Sequence, residues 1–180
     1  MNTIERDPPL EEIDRALFRA VMGRFATGVT IITTKAGEVT RGMTANAFMS
    51  GSLVPPLCII SVANRAHMHG ALLESGKFGV SILSEYQESL APHFAGKPDM
   101  GMDVKFRETN GIPTLNEFAA CLTAETVAVY ECGDHTLFIG HIRHMEAASS
   151  PPLLYHAGRY GTLVEKGRIA DDFFPITEFW

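Results

Sequence analysis

The chain has little cysteine, one tryptophan and no surplus of positive charge. Each shortage removes a class of protein. Three cysteines, none in a C-x-x-C pair, supply neither an even disulfide framework nor a zinc-ribbon cradle. That usage suits a reducing compartment, so a cytoplasmic location is expected. Fifteen Lys and Arg against 21 Asp and Glu leave a net charge of −6, the wrong sign for neutralising the phosphates of a nucleic acid. No apolar run approaches the ~20 residues needed to cross a bilayer. The acidic start, interrupted by Pro8 and Pro9, lacks the basic beginning and continuous apolar centre of a signal peptide. Neither nucleic acid nor a membrane is an expected partner. No G-x-G-x-x-G follows a strand and opens a helix, so the Rossmann way of holding a dinucleotide is excluded.

Seven histidines do not amount to a metal site. His67 and His69 would project to different sides of a helix, and His141 and His144 to opposite sides of a strand. Cys132 and His135 are then the only close pair, too few to hold zinc, and no metal is expected.

What is present is a chain of 180 residues, 46% hydrophobic, enough to bury about 70% of its unfolded surface in one domain over residues 1–180. Ile13, Leu17, Val21 and Phe25 lie four apart within Glu11 to Phe25, which predicts a helix lying on a core and ended by Gly28. Val29 to Thr34 and Val39 to Ala45, around Ala36-Gly37, predict a hairpin. Leu57 to Val62 and Phe78 to Leu83 read as buried strands, with a helix from Ala66 to Ser75 stopped by Gly76. Ser84-x-x-Gln87 has the spacing of a capping box, with Leu90 and Phe94 at helical spacing beyond it and Pro92 limiting the helix. Cys121 to Glu131 and Thr136 to Glu146 flank Cys132-Gly133-Asp134-His135, a hairpin whose turn carries a histidine. Six or more strands with few short helices predict a mainly β fold, a barrel with peripheral helices.

Two stretches carry chemistry: GMTANAFMSGS, Gly42 to Ser52, and GDHTLFIG, Gly133 to Gly140. Small side chains beside short hydroxyls and amides let a flat ring such as flavin lie close to the main chain. FRAVMGRFATGVTIITT from Phe18, FGVSIL from Phe78, FAGK from Phe94 and PPLLYHAGRYGTL from Pro151 stand in order around them. Together these motifs resemble the short-chain flavin reductases, the reductase components of two-component flavin monooxygenases. The resemblance runs from Phe18 to Leu163, leaving 164–180 as an extension whose aromatic end, Phe173 to Trp180, is expected to pack on the barrel or a partner chain. It implies a homodimeric split β-barrel that binds FMN or FAD, takes electrons from NADH or NADPH, and supplies a separate flavin-dependent monooxygenase.

The residues can be read one by one beside it. Thr44 and Asn46 can meet the polar edge of the isoalloxazine, Ala45 and Ala47 leave room for it, and Ser50 and Ser52 extend the surface. Ser/Thr/Asn-rich strand ends also satisfy their own turns. For phosphate, the family resemblance implies the Ser61 to Met68 loop, with Arg65, Ala66 and Met68, leading into a helix N-terminus that favours an anion. It also implies Ala95, Gly96 and Lys97 of FAGK, although singly such cations are ordinary surface charges. Many family members have hydroxyl residues where His67 and Met68 stand, so phosphate here depends more on backbone and Arg65. Gly51 and Val54 replace residues commonly larger and acidic. His135 is the candidate catalytic residue: at a hairpin tip it can hydrogen-bond a nicotinamide carboxamide, with Asp134 orienting it, or it is simply an exposed turn residue. Gly158, Arg159 and Tyr160 match a segment that borders the nicotinamide site in the family, and equally suit a connecting loop. Two functions stay open on these residues: an NAD(P)H-dependent flavin reductase, or a tightly flavin-binding carrier or redox sensor on the same fold.

Overall fold

The computed structural model describes residues 13–164. Residues 1–12 and 165–180 lie outside the described part, and with them the expected packing of the aromatic end. Helix α1 spans Arg15–Met22, and Asp14 caps it by accepting from the N–H groups of Leu17 (3.0 Å) and Ala16 (2.6 Å). Those bonds hold the Asp14 carboxyl below its ordinary value.

Two expectations for this segment are corrected. The helix ends at Gly23 rather than Gly28, because Thr27–Gly28 is already an extended strand, β1, and the Gly23 carbonyl accepts from Ala157 N–H at 2.9 Å. Nor does its apolar stripe lie on the core: Ile13, Leu17, Val21 and Phe25 are 64%, 60%, 59% and 75% exposed. Periodicity shows that a helix has a face to cover without showing what covers it.

The strands that follow are β2 (Thr30–Ala36), β3 (Val39–Ala45), β4 (Phe48–Ser52), β5 (Leu57–Ala63), β6 (Lys77–Ile82), β9 (Ala120–Cys132) and β10 (His135–Ala147). They form one seven-stranded antiparallel sheet in the order β3-β2-β6-β9-β10-β5-β4. Its edges, β3 and β4, are consecutive in the chain and joined only through Asn46 and Ala47. So short a connection reaches about 10 Å. The sheet must curl until its edges approach, without pairing, and the result is a split barrel with Asn46-Ala47 bridging the split.

Helix α2 (His67–Ser75) sends Met68 and Leu72 into the barrel core among Ile60, Val62, Phe78 and Phe138. It stops at Gly76 in a left-handed conformation, as the sequence predicts. A second cluster lies on the other face of β2, where Ile31 meets Leu83, Ala91, Leu115 and Leu153. Ser84 and Gln87 do make a capping box, but it opens a single 3₁₀ turn, Glu85–Gln87, before α3 (Leu90–Phe94). Three elements have no counterpart in the sequence reading: β4, the hairpin β7 (Phe106–Thr109) with β8 (Ile112–Leu115), and the hairpin β11 (Leu154–His156) with β12 (Arg159–Gly161), which pairs with β1. No helix among the described residues is long and apolar enough to cross a membrane.

Candidate active site

The bridge across the split opens onto a cleft of about 1020 Å³. Asn46 and Ala47 meet Phe48 and Met49 of β4, Ile59 and Ser61 of β5, and Leu137 of β10. Helix α1 and the turn after it add Phe18, Arg19, Ala20, Met22, Gly23, Arg24 and Phe25, while Thr27, Tyr155, Ala157 and Gly158 complete the lining. Of the residues the sequence singles out, the fold thus gathers Asn46, Ala47, Ser61 and Gly158 into one cleft. Backbone pairing explains the first three: Ser61 N–H donates to Ala47 O at 3.0 Å, and Ser61 stands opposite Leu137.

The register of β5 and β10 also places His135. Along β10 the odd-numbered positions His135, Leu137 and Ile139 are half-buried, and the even-numbered Thr136, Phe138 and Gly140 are buried. His135 therefore shares the face of Leu137, the residue of β10 that lines the cleft, and stands about 7 Å farther along the strand, beyond the lining itself. Its partner position on β5 is Ala63. Gly133-Asp134 closes the hairpin in two residues, with Gly133 at φ 63°, a left-handed position that suits glycine. His135 Nδ1 lies 2.7 Å from Asp134 Oδ1. A carboxylate only accepts, so Nδ1 carries the proton and this pair leaves Nε2 free for another group. The Asp134 carboxyl is held below its ordinary value, first by the His135 hydrogen bond and charge and in smaller part by Arg65. Asn64 N–H donates to Asp134 O at 3.0 Å, so Arg65, next along the chain, and His135 belong to one corner of the molecule.

The remaining predicted residues fall elsewhere. Thr44 donates its hydroxyl to Ala91 O of α3 at 2.6 Å, and Ala45 is buried with its carbonyl accepting from Thr30 Oγ1 at 2.7 Å. Both side chains serve packing between β3, β2 and α3. The Met68 side chain is in the core, so only its backbone remains for an anion, at a helix start that Ala66 does not cap with a side chain. Ala95, Gly96 and Lys97 are exposed just after α3, with Lys97 N–H donating to Pro92 O at 3.1 Å. Ser50 and Ser52 flank an irregularity at Gly51 in the pairing of β4 with β5, and line neither hollow. Arg159 and Tyr160 line a second hollow of about 500 Å³, which shares Ala157 with the main cleft. Cys132 and His135 do stand opposite each other, but no group of three or more metal-ligating side chains occurs among the described residues.

Sequence reasoning missed the contribution of α1, above all Phe18, Arg19 and Met22, and the turn residues Arg24 and Phe25. The stripe Ile13-Leu17-Val21-Phe25 reaches the cleft only at Phe25; the signal for the rest is the neighbouring pair Phe18 and Met22, also four apart, with Arg19 between them.

The cleft suits a flavin on three grounds. Its volume is at the upper end of the ~300–1,000 Å³ range of small-molecule sites, enough for two ring systems in contact. Its apolar side chains (Phe18, Met22, Phe25, Phe48, Ile59 and Leu137) match the faces of a flat ring, and Asn46 and Ser61 offer polar groups for its edge. Thr27 Oγ1, beside them, is buried without a protein partner, a polar atom left unspent by the fold itself.

Comparison with known proteins points the same way. The profile of the family described as "Flavin reductase like domain" matches residues 22–164. An NADH-dependent flavin reductase of a Rhodococcus species is 39% identical over 167 residues, covering 91% of this chain and 93% of its own. The reductase component of 4-hydroxyphenylacetate 3-monooxygenase from Thermus thermophilus is 39% identical over 148 residues, 82% of this chain and 95% of its own. Among solved structures, the flavin reductase PheA2 in its native state superposes with a TM-score of 0.83 at 42% identity, covering 85% of this chain and all of that one. A split barrel with a ring-sized cleft at its open seam and a match over nearly its whole described length mean that this chain belongs to the flavin reductase-like family.

Proposed function

We propose that the chain is an NADH-dependent flavin reductase that hands reduced flavin to a separate flavin-dependent monooxygenase. The observation that carries this reading is the single face of the β5–β10 pair on which Ser61, Leu137 and His135 stand in a row beside Asn46 and Ala47. A flavin held there would supply the electron acceptor for the hydride of NADH. The chain's own contribution is to orient and to exclude water. Asn46, Ala47 and Ser61 hold the ring edge, and Phe18, Met22 and Leu137 cover its faces. His135, oriented through Nδ1 by Asp134, offers Nε2 to the nicotinamide carboxamide, with Gly158 allowing close approach and Arg159 and Tyr160 beyond it. Arg65, the backbone at Ala66 and Met68, and the Ala95-Gly96-Lys97 turn take phosphate. Since positioning provides most of the rate, no side chain has to act as acid or base in the transfer itself.

The exposed stripe of α1, with Ile13, Leu17 and Val21 each more than half exposed, supports a homodimer in which a second copy covers it. Free thiols at Cys58, Cys121 and Cys132 agree with a cytoplasmic setting.

Steady-state loss of NADH absorbance with added FMN or FAD tests the reading. Oxidation that depends on flavin and saturates in both components is expected, and flavin binding without oxidation would make the protein a carrier. His135→Gln is expected to lower kcat/KM for NADH by about tenfold, leaving residual turnover.

A further inference from the structure

The β9–β10 tip is not an isolated turn. Thr136, next to His135, points to the opposite face of β10 and is 4% exposed. Its hydroxyl donates to Asn64 Oδ1 at 2.8 Å and lies 2.9 Å from His69 Nε2. The hydroxyl has one proton, and Asn64 takes it; His69 must therefore donate, which puts the proton of its ring on Nε2. The His69 ring is set in turn by an edge contact with the fully buried Phe138, at 5.8 Å and 73°. Asn64 N–H donates to Asp134 O at 3.0 Å, and its side-chain amide faces Gly133 O at 3.5 Å. Both sides of the tip are thereby tied to one residue of the β5–α2 loop, and that residue is tied through Thr136 to the first turn of α2.

We propose that Thr136, with His69 and Asn64, is a positioning strut for the NADH reaction. It fixes the pitch of the Gly133-Asp134 turn, and so holds His135 at the cleft's β10 end in register with the Asn64-Arg65 loop. Thr136 is the buried member of the three, and its single hydroxyl serves both neighbours at once, accepting from His69 and donating to Asn64. Removing the Thr136 hydroxyl breaks the link between the half-buried His69 ring and Asn64 Oδ1, while the His135 side chain on the opposite face of β10 is untouched. The strut acts only through His135, which distinguishes it from residues that contact either ligand. The inference rests on the flavin reductase reading for its kinetic consequence, but not for its structural one.

The test uses the full chain with Thr136→Val, the conservative Thr136→Ser, the exposed Asn64→Ala in case the buried variant folds poorly, and each combined with His135→Ala. Three measurements are made: amide hydrogen exchange at residues 132–136 in protein without ligands, steady-state NADH kinetics with flavin, and a fluorescence titration with flavin alone. Thr136→Val and Asn64→Ala are expected to speed exchange at the tip and to lower kcat/KM for NADH, each by about tenfold, with the flavin Kd within twofold of wild type and Thr136→Ser close to wild type. In the His135→Ala background neither substitution should lower kcat/KM further, since a strut with nothing to position has no kinetic role. An equal loss with and without His135, or unchanged exchange and kinetics in folded variants, overturns the proposal. Wild-type protein that does not oxidise NADH would overturn the flavin reductase reading instead, while accelerated exchange in the variants would still establish the structural tie.

Discussion

Gly42 opens the GMTANAFMSGS stretch, and its smallness serves α3. A Cβ built on Gly42 would sit 2.8 Å from Cε1 and 2.9 Å from Cδ1 of Phe94, with Ile31 Cγ2 at 3.6 Å on another side. Carbon atoms settle at about 3.5–4.0 Å, so Gly42→Ala requires the Phe94 ring to retreat by roughly 1 Å. The ring has little freedom to do so. The His93 ring stands 4.9 Å from it and the Phe106 ring 6.3 Å, and α3 is pinned to β3 by the Thr44 hydroxyl on Ala91 O at 2.6 Å. Overpacking of this kind costs about 1–3 kcal/mol, which for a chain of this size lowers Tm by about 2–12 °C. Differential scanning calorimetry reads that loss directly. The cause is isolated by repeating the substitution in a Phe94→Leu background, where the obstructing ring edge is gone. There Gly42→Ala should cost at least about 1 kcal/mol less than in the wild type. The Ala95-Gly96-Lys97 turn hangs from the same helix, so a displaced α3 should also weaken flavin binding, by up to about tenfold in a fluorescence titration. A Gly42→Ala protein that melts within 1 °C of wild type, or loses the same stability in both backgrounds, would refute the close-approach account.

Other outcomes follow from the same geometry. Burial pushes the Cys58 thiol from an ordinary 9.0 up to about 11. The unfolded chain therefore releases this proton before the folded one does. Stability should fall as pH rises from 9.0 towards 11, by about 1.4 kcal/mol per unit at most, and Cys58→Ala should flatten the decline in urea titrations at successive pH values. Thr123 Oγ1 is fully buried without a partner, so the near-isosteric Thr123→Val should raise stability by about 1 kcal/mol in urea unfolding. Val21→Glu places a charge in the exposed stripe of α1 and, on the proposed homodimer, is expected to leave a monomer in light scattering without unfolding the barrel.

What could be read from the sequence was local. Gly76 stops α2 and Ser84 pairs with Gln87 because a left-handed cap and a capping box are settled within a few residues. The long β9–β10 hairpin was legible from its two-residue turn and extended apolar runs, and so was the placement of His135 at its tip. The sequence by itself determined these elements, the mainly β class and, through several motifs in order, the family. Tertiary structure decided the rest, because it depends on what each surface meets. Strands as short as β4, β7, β8, β11 and β12 exist by pairing with partners remote in sequence, and too few residues repeat in them to show a period. Nothing local distinguishes Thr44, spent on Ala91, from Asn46 two residues later, which faces the cleft. The curl of the sheet makes that difference: it brings edge strands β3 and β4 together at Asn46-Ala47 and sets the seam under α1. The stripe on α1 was visible as a period, but only the fold shows it exposed instead of on a core, with Phe25 alone reaching the cleft that the next line of the helix, Phe18 and Met22, faces, since amphipathicity specifies a face and not its partner.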